Sequence, residues 1–202
     1  SHEIRTPLNG IKGFTDLLKQ EIKSEELLEY FKCLDNSIER LEKFSLNALA
    51  ITQLNLGTYK SEFKPTQIDQ SIRAVISMLK EEADKKNVEF STNINQVRIN
   101  ADELLIKSAL ETIIENAIRF SPDNSKININ TRKENNQYIC EIKDNGEGFS
   151  NTAINNLFNL FSTDHEHMDQ NEGLGLALSK LIIDYHQGEL LIENLEPTGA
   201  KV

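Results

Sequence analysis

The 202-residue chain has no tryptophan, only two cysteines and four prolines, and no apolar run near the roughly 20 residues that span a bilayer. Without such a run, and with nothing at the N-terminus shaped like a signal peptide, the reading is a soluble, cytoplasmic chain. It opens within a patterned helix, so any membrane attachment would have to come from residues upstream. Cys33 and Cys140 stand in different pattern regions with no metal-ligand spacing around either, which fits reduced, ordinary thiols. Basic residues are also scarce: 22 Lys and Arg against 32 Asp and Glu leave a net charge of -10. A nucleic-acid partner is excluded on that ground, because neutralising a phosphate backbone needs a basic face. Any phosphate bound here must be met by local dipoles, a cation or one or two basic side chains.

What is present is hydrophobic periodicity of two kinds. In the first quarter apolar residues recur at helical spacing: Ile4, Leu8, Ile11 and Leu18, then Leu27, Phe31, Leu34, Ile38, Leu41 and Ala48. Ser24 between the two series is a candidate N-cap with acids in the first turn, which predicts an antiparallel helical hairpin. Two helices alone cannot bury both flanks of such stripes. A symmetric dimer forming a four-helix bundle completes them, the alternative being a hairpin packed on its own globular domain. We read residues 1–56 as this hairpin, 57–65 as a linker around Leu56-Gly57-Thr58-Tyr59, and 66–202 as a second domain.

In the second domain helices and short alternating strands mix. Helices are predicted over 68–83, 103–120 and 174–185, and strands over 88–94, 97–100, 126–132, 137–143 and 189–193. That order, with adjacent antiparallel strands, predicts an α+β chain whose second part is one sheet with helices on one face.

Four segments carry reactive groups. In Ser1-His2-Glu3-Ile4-Arg5-Thr6-Pro7-Leu8, Ile4 is in phase with Leu8 and Ile11, so a helix should run through Pro7 and place His2 and Thr6 on one face. A neutral imidazole beside a carboxylate is a nucleophile with a proton acceptor, although a solvated surface pair reads the same way. Asp144-Asn145-Gly146-Glu147-Gly148-Phe149 offers a carboxylate able to accept from an amino group, and two glycines that let backbone approach a flat ligand; it also reads as an everyday turn. Gly173-Leu174-Gly175 stands directly ahead of a helix, whose free N–H groups and dipole suit an anion, but lacks the spacing of a Rossmann or Walker motif. Glu115, Asn116 and Arg119 put polar groups into an apolar helix, where an amide oxygen suits Mg²⁺ and a guanidinium suits phosphate, unless they are simply a solvated stripe.

Together and in this order the segments resemble the catalytic core of a two-component sensor histidine kinase. SHEIRTPLNGI resembles the H-box, ENAIRFSP the N-box, DNGEGF the G1 box, LFNLF (157–161) the F-box and EGLGLALSK the G2 box. The resemblance implies a dimerising phosphotransfer hairpin followed by a Bergerat-type sandwich that binds ATP with Mg²⁺. It implies autophosphorylation of His2, Glu3 as its base, and transfer to an aspartate of a response regulator receiver domain, with Thr6 positioning water for a phosphatase reaction. Asn116 would be the Mg²⁺ ligand, Arg119 a phosphate-side basic group and Phe120 an aromatic beside adenine. Asp144 would accept the adenine amino group, with Gly146 and Gly148 shaping that wall. Gly173, Leu174 and Gly175 would flank the phosphates at the hinge of a lid over about 150–172, anchored by Phe158 and Phe161.

Two departures stand out: Thr112 replaces the first Asn often found in the N-box, and Asn171-Glu172 replaces an extra glycine before the G2 pair. Asp164-His165-Glu166-His167 in the lid reads as polar loop rather than a metal site. Two rivals share parts of this pattern. One is a non-catalytic module that binds nucleotide or a regulator. The other is an ATPase of the gyrase and chaperone type, disfavoured because it needs an acid where Thr112 stands.

Overall fold

The computed structural model describes residues 2–21, 24–135, 137–149 and 172–202. The chain divides into two compact units, Ser1–Tyr59 and Lys60–Val202.

The first unit is a pair of helices, α1 (His2–Glu21) and α2 (Glu25–Asn55). Helix α1 continues through Pro7, as the phase of its apolar residues required. Ser24 takes the extended N-cap conformation (φ -83°, ψ 123°) ahead of α2, but its side chain makes no capping bond. The antiparallel register shows in two ion pairs: Lys12 meets Glu39 at 3.4 Å, and further along α1 Lys19 meets Asp35, nearer the start of α2. Leu8 and Thr15 of α1 and Ile38, Ile51 and Leu54 of α2 are buried. Much of the predicted seam is not: Ile11, Leu18, Leu27, Leu34 and Leu41 are exposed and Phe31 and Ala48 only partly buried, while Phe14, Leu17 and Tyr30 are exposed as well. A two-helix hairpin has one mutual face, so the other flank of each stripe remains in solvent. Helix α2 ends where Gly57 enters the left-handed region at φ 64°.

The second unit runs β1 (Phe63–Gln67), α3 (Ile68–Met78), α4 (Lys80–Lys85), β2 (Glu89–Asn93), β3 (Arg98–Asp102), α5 (Glu103–Phe120), β4 (Lys126–Glu134), β5 (Gln137–Lys143), α6 (Glu172–Tyr185), β6 (Glu193–Asn194) and β7 (Ala200–Lys201). β1 and β3 form a separate antiparallel pair. The other strands make one sheet in the order β2-β4-β5-β7-β6, parallel between β2 and β4 and antiparallel elsewhere. In β4 Ile127, Ile129 and Thr131 are buried while Lys126 is exposed and Asn128 and Asn130 are partly so, the period-2 signature of a sheet covered on one face. Helix α5 packs between α3 and α6 over that face, and the core centres on Ile72, Ile114, Ile118, Ile127 and Ile129, all without exposed surface.

Five sequence expectations are corrected. The single sheet expected is two, because β3, which holds residues 98–100 of the strand expected over 97–100, pairs with β1 apart from the other strands. Residues 63–65 of the expected linker belong to β1, where Phe63, Lys64 and Pro65 pair with Asp102, Ala101 and Asn100. Pro65 is tolerated because β1 is an edge strand. The single helix expected over 68–83 breaks at Leu79, which stays buried, so the apolar face continues across a break that periodicity cannot reveal. Of the strand expected over 189–193 only Glu193 joins the sheet. Helix α6 begins at Glu172, which places Gly173 and Gly175 inside the helix rather than ahead of it.

Asp102 joins several of these pieces. Its Oδ1 caps α5 by accepting from the N–H groups of Leu104 (3.1 Å) and Leu105 (3.2 Å), and its Oδ2 accepts from Glu62 N–H at 2.9 Å. Its own N–H donates to His186 Nε2 at 3.0 Å, just past the end of α6. The His186 ring lies 4.9 Å from that of Phe63 between centroids.

Candidate functional site

Helix α5 carries Thr112, Asn116 and Arg119 at i, i+4 and i+7, one stripe of the helix. Thr112 is buried, Asn116 partly exposed and Arg119 exposed, with its guanidinium 4.3 Å from the centroid of the Phe120 ring.

The segment after β5 builds a wall beside the end of α5. Asp144 Oδ1 accepts from Gly146 N–H at 2.8 Å and from Ala200 N–H at 3.1 Å. Burial pushes the Asp144 carboxyl above its ordinary value of 3.8, and these two backbone bonds partly oppose the shift. Gly146 is needed for close approach: a Cβ there would lie 2.7 Å from the Phe120 carbonyl oxygen. Gly148 has φ +79°, and a Cβ on it would lie 2.8 Å from Asn194 Oδ1.

The far side of this wall is not legible from residue spacing. Asn194 accepts from Phe149 N–H through Oδ1 and donates to Phe149 O through Nδ2, both at 2.8 Å. Gly199, at φ +116°, has the Asp144 carbonyl 2.4 Å from where a Cβ would be. The signal available was Thr198-Gly199, a glycine after a proline turn and before a strand.

Helix α6 approaches α5 at Gly175, where a Cβ would lie 3.0 Å from Thr112 Cγ2. The replacement at position 112 is thus a packing contact between the helices that hold the stripe and the G2 glycines. By helical geometry the N–H groups of the first turn of α6 have no partner within the helix, so the α6 start is an anion-seeking end next to the Thr112–Asn116 stripe. Leu174 is buried in that turn.

Asn116, Arg119, Phe120, Asp144, Gly146, Gly148, Leu174 and Gly175 therefore lie around one region of the second unit. Phe158 and Phe161, the lid residues 150–171 and the Asp164–His167 cluster lie outside the described residues. His2 and Glu3 are in α1 with their side chains outside the description, and Thr6 is exposed on the same helix. Among the described residues no group of three His, Cys, Asp or Glu could hold a metal. A Mg²⁺ bound through one amide oxygen fits this donor set, since Mg²⁺ commonly takes one or two protein oxygens and completes its shell with phosphates and water.

The family model described as histidine kinase-, DNA gyrase B-, and HSP90-like ATPase matches residues 101–202. The chain belongs to this ATPase family. A second family model, the His Kinase A phospho-acceptor domain, matches residues 1–56, and the pair makes the chain a sensor histidine kinase core with α+β architecture. This kinase chain is 26% identical over 199 residues to the heme sensor protein HssS of Staphylococcus saprophyticus, covering 98% of this chain and 43% of that protein. The kinase chain thus spans less than half the length of that relative. Among solved structures, histidine kinase ThkA in complex with response regulator protein TrrA is 26% identical with a TM-score of 0.66, covering 99% of this chain and 57% of that one. Full-length ShkA in complex with AMPPNP shares the fold at a TM-score of 0.78 and 23% identity, covering 99% of this chain and 42% of that one.

Proposed function

We propose that the chain uses Mg-ATP to phosphorylate its own His2 and passes the phosphoryl group to an aspartate on the receiver domain of a response regulator. The carrying observation is the convergence of the Asp144 wall, the end of α5 and the start of α6, fixed by the Phe120–Gly146 and Thr112–Gly175 approaches. In this reading Asp144 takes the adenine amino group, Phe120 stands beside the base, and Asn116 holds Mg²⁺. Arg119 and the first-turn N–H groups of α6 face the phosphates. The bound cation supplies charge neutralisation to the transferring group, which matters in a chain of net charge -10.

A His2 ring nitrogen forms the N–P bond as the bond between the γ-phosphorus and its bridging oxygen breaks, ADP leaves, and Glu3 takes the proton from the other ring nitrogen. Thr6, four residues on, is assigned to position the water that hydrolyses the aspartyl phosphate of the regulator, releasing inorganic phosphate. The receiver partner is supported by the ThkA–TrrA complex. Dimerisation is supported by the phospho-acceptor match and by the unburied apolar flank of α1 and α2. An ATPase of the gyrase type is disfavoured because position 112 carries a buried threonine packed on Gly175 in place of an acid.

The test is incubation with labelled ATP and Mg²⁺. Acid-labile, base-stable label on the protein, abolished in His2→Gln, is the expected result. Label that persists in His2→Gln, or steady hydrolysis without labelled protein, would sink the reading.

A further inference from the structure

The C-terminal end of α5 has four carbonyls with no partner inside the helix. Ala117 O accepts from Ser121 N–H at 3.1 Å, and Phe120 O lies against Gly146. The other two, on Ile118 and Arg119, are taken by one side chain from a different element. Lys86, in the turn between α4 and β2, donates through Nζ to Ile118 O at 3.1 Å, to Arg119 O at 2.8 Å and to Ser121 O at 2.5 Å. Its backbone is tied to the same region, since Lys86 O accepts from Asn124 N–H at 2.9 Å.

Resting on the nucleotide reading above, we propose that Lys86 is a positioning residue for the nucleotide site. A helix C-terminus carries partial negative charge, and the groups assigned to adenine and phosphate, Phe120, Arg119 and Asn116, all stand on the last turns of α5. A polyanion placed there meets the unfavourable end of the helix dipole. The Lys86 ammonium lies on those carbonyls and offsets it. Its three bonds also fix the backbone of residues 118–121, which sets where the Phe120 carbonyl meets Gly146 and hence the spacing between the aromatic ring and Asp144. A merely structural cap would affect stability alone; a positioning cap also affects nucleotide affinity in the folded protein.

The experiment is calorimetric titration of the full chain with ADP and Mg²⁺. Wild type, Lys86→Met, Lys86→Arg and Lys85→Met are each measured well below their own melting temperatures. Lys86→Met should weaken ADP about tenfold, Lys86→Arg should recover affinity to within about threefold of wild type, and Lys85→Met, one residue away on the surface, should match wild type. Folded Lys86→Met that binds ADP as wild type does, or Lys86→Arg as weak as Lys86→Met, overturns the proposal alone. A wild type that binds no ADP overturns the nucleotide reading and this proposal with it.

Discussion

Ala200 donates its N–H to Asp144 Oδ1 at 3.1 Å, joining the last strand to the carboxylate at the end of β5 across 56 residues. Gly146 N–H uses the same oxygen, so both backbone bonds converge on Oδ1 and neither occupies Oδ2.

Asp144→Asn should therefore keep the wall, because the amide oxygen can still accept both bonds, while an amide nitrogen in the place of Oδ2 would face the adenine amino group donor to donor. ADP affinity should fall at least thirtyfold by titration calorimetry with little change in the folded spectrum. The pH dependence has a definite sign. Burial raises the folded-state value above 3.8, so the folded protein binds the proton more tightly than the unfolded chain. That contribution is fully present below 3.8 and is lost as pH rises through the raised value. The wild-type minus Asp144→Asn difference in melting temperature, measured against pH, should fall across that window.

Gly146→Ala drives a methyl group into the Phe120 carbonyl, a backbone atom that cannot swing aside. Overpacking of this kind costs about 1–3 kcal/mol. Thermal denaturation should report that loss, and ADP affinity should drop with it because the end of α5 must retreat from Asp144.

Gly175→Ala meets a removable obstacle, the Thr112 methyl at 3.0 Å. Alanine gains about 0.8–1.0 kcal/mol of helix propensity over glycine, which the clash should outweigh in the single variant. Thr112→Ser relieves it. A double-mutant cycle by chemical denaturation should give a coupling of about 0.5–3 kcal/mol, with the double variant more stable than Gly175→Ala alone. Additive effects would show that the two helices do not touch there.

The two cysteines should differ sharply toward alkylation. Cys33 is exposed on α2, whereas burial in β5 pushes the Cys140 thiol up to about 12. Mass spectrometry after iodoacetamide treatment at pH 8 should find one adduct on the native protein, at Cys33, and two after denaturation.

Leu34 and Phe14 are exposed apolar side chains of the hairpin, of the kind the proposed dimer would bury. Leu34→Glu or Phe14→Glu should shift light-scattering mass from dimer to monomer by weakening association about a hundredfold, since a carboxylate would be buried unpaired. An unchanged dimer would place its interface elsewhere.

Much of the second unit was legible because its elements are long and one-sided. Helix α5 begins and ends at 103 and 120 as read, since Asp102 caps it and Ser121-Pro122 stops it. Strand β4 alternates over the six residues from Lys126 to Thr131, enough for the period to show. The two-residue strands β6 and β7 carry no period, so Asn194, Gly199 and Ala200, which complete the Asp144 wall, were not assigned. The Leu79 break was invisible because the apolar face runs through it. In the hairpin, the stripes were correct as stripes, but Ile11, Leu18, Leu34 and Leu41 are exposed in a single chain because one neighbour covers one flank. Lys86 gave no signal at all: in Lys85-Lys86-Asn87 it reads as one more solvated cation, and only the fold aims it at α5.

The joint at Asp102 has a mechanical meaning. Glu62, at the entry to the second unit, is bonded to the same carboxylate that caps α5, and β1 runs from there in register with β3 back to that residue. A pull on the entering strand is therefore delivered to the first turn of the helix bearing Asn116, and through His186 to the end of α6. Load applied at β1 thus reaches the start of α5 and the end of α6 through single hydrogen bonds to Asp102, which makes this one carboxylate residue the shared support of both helices.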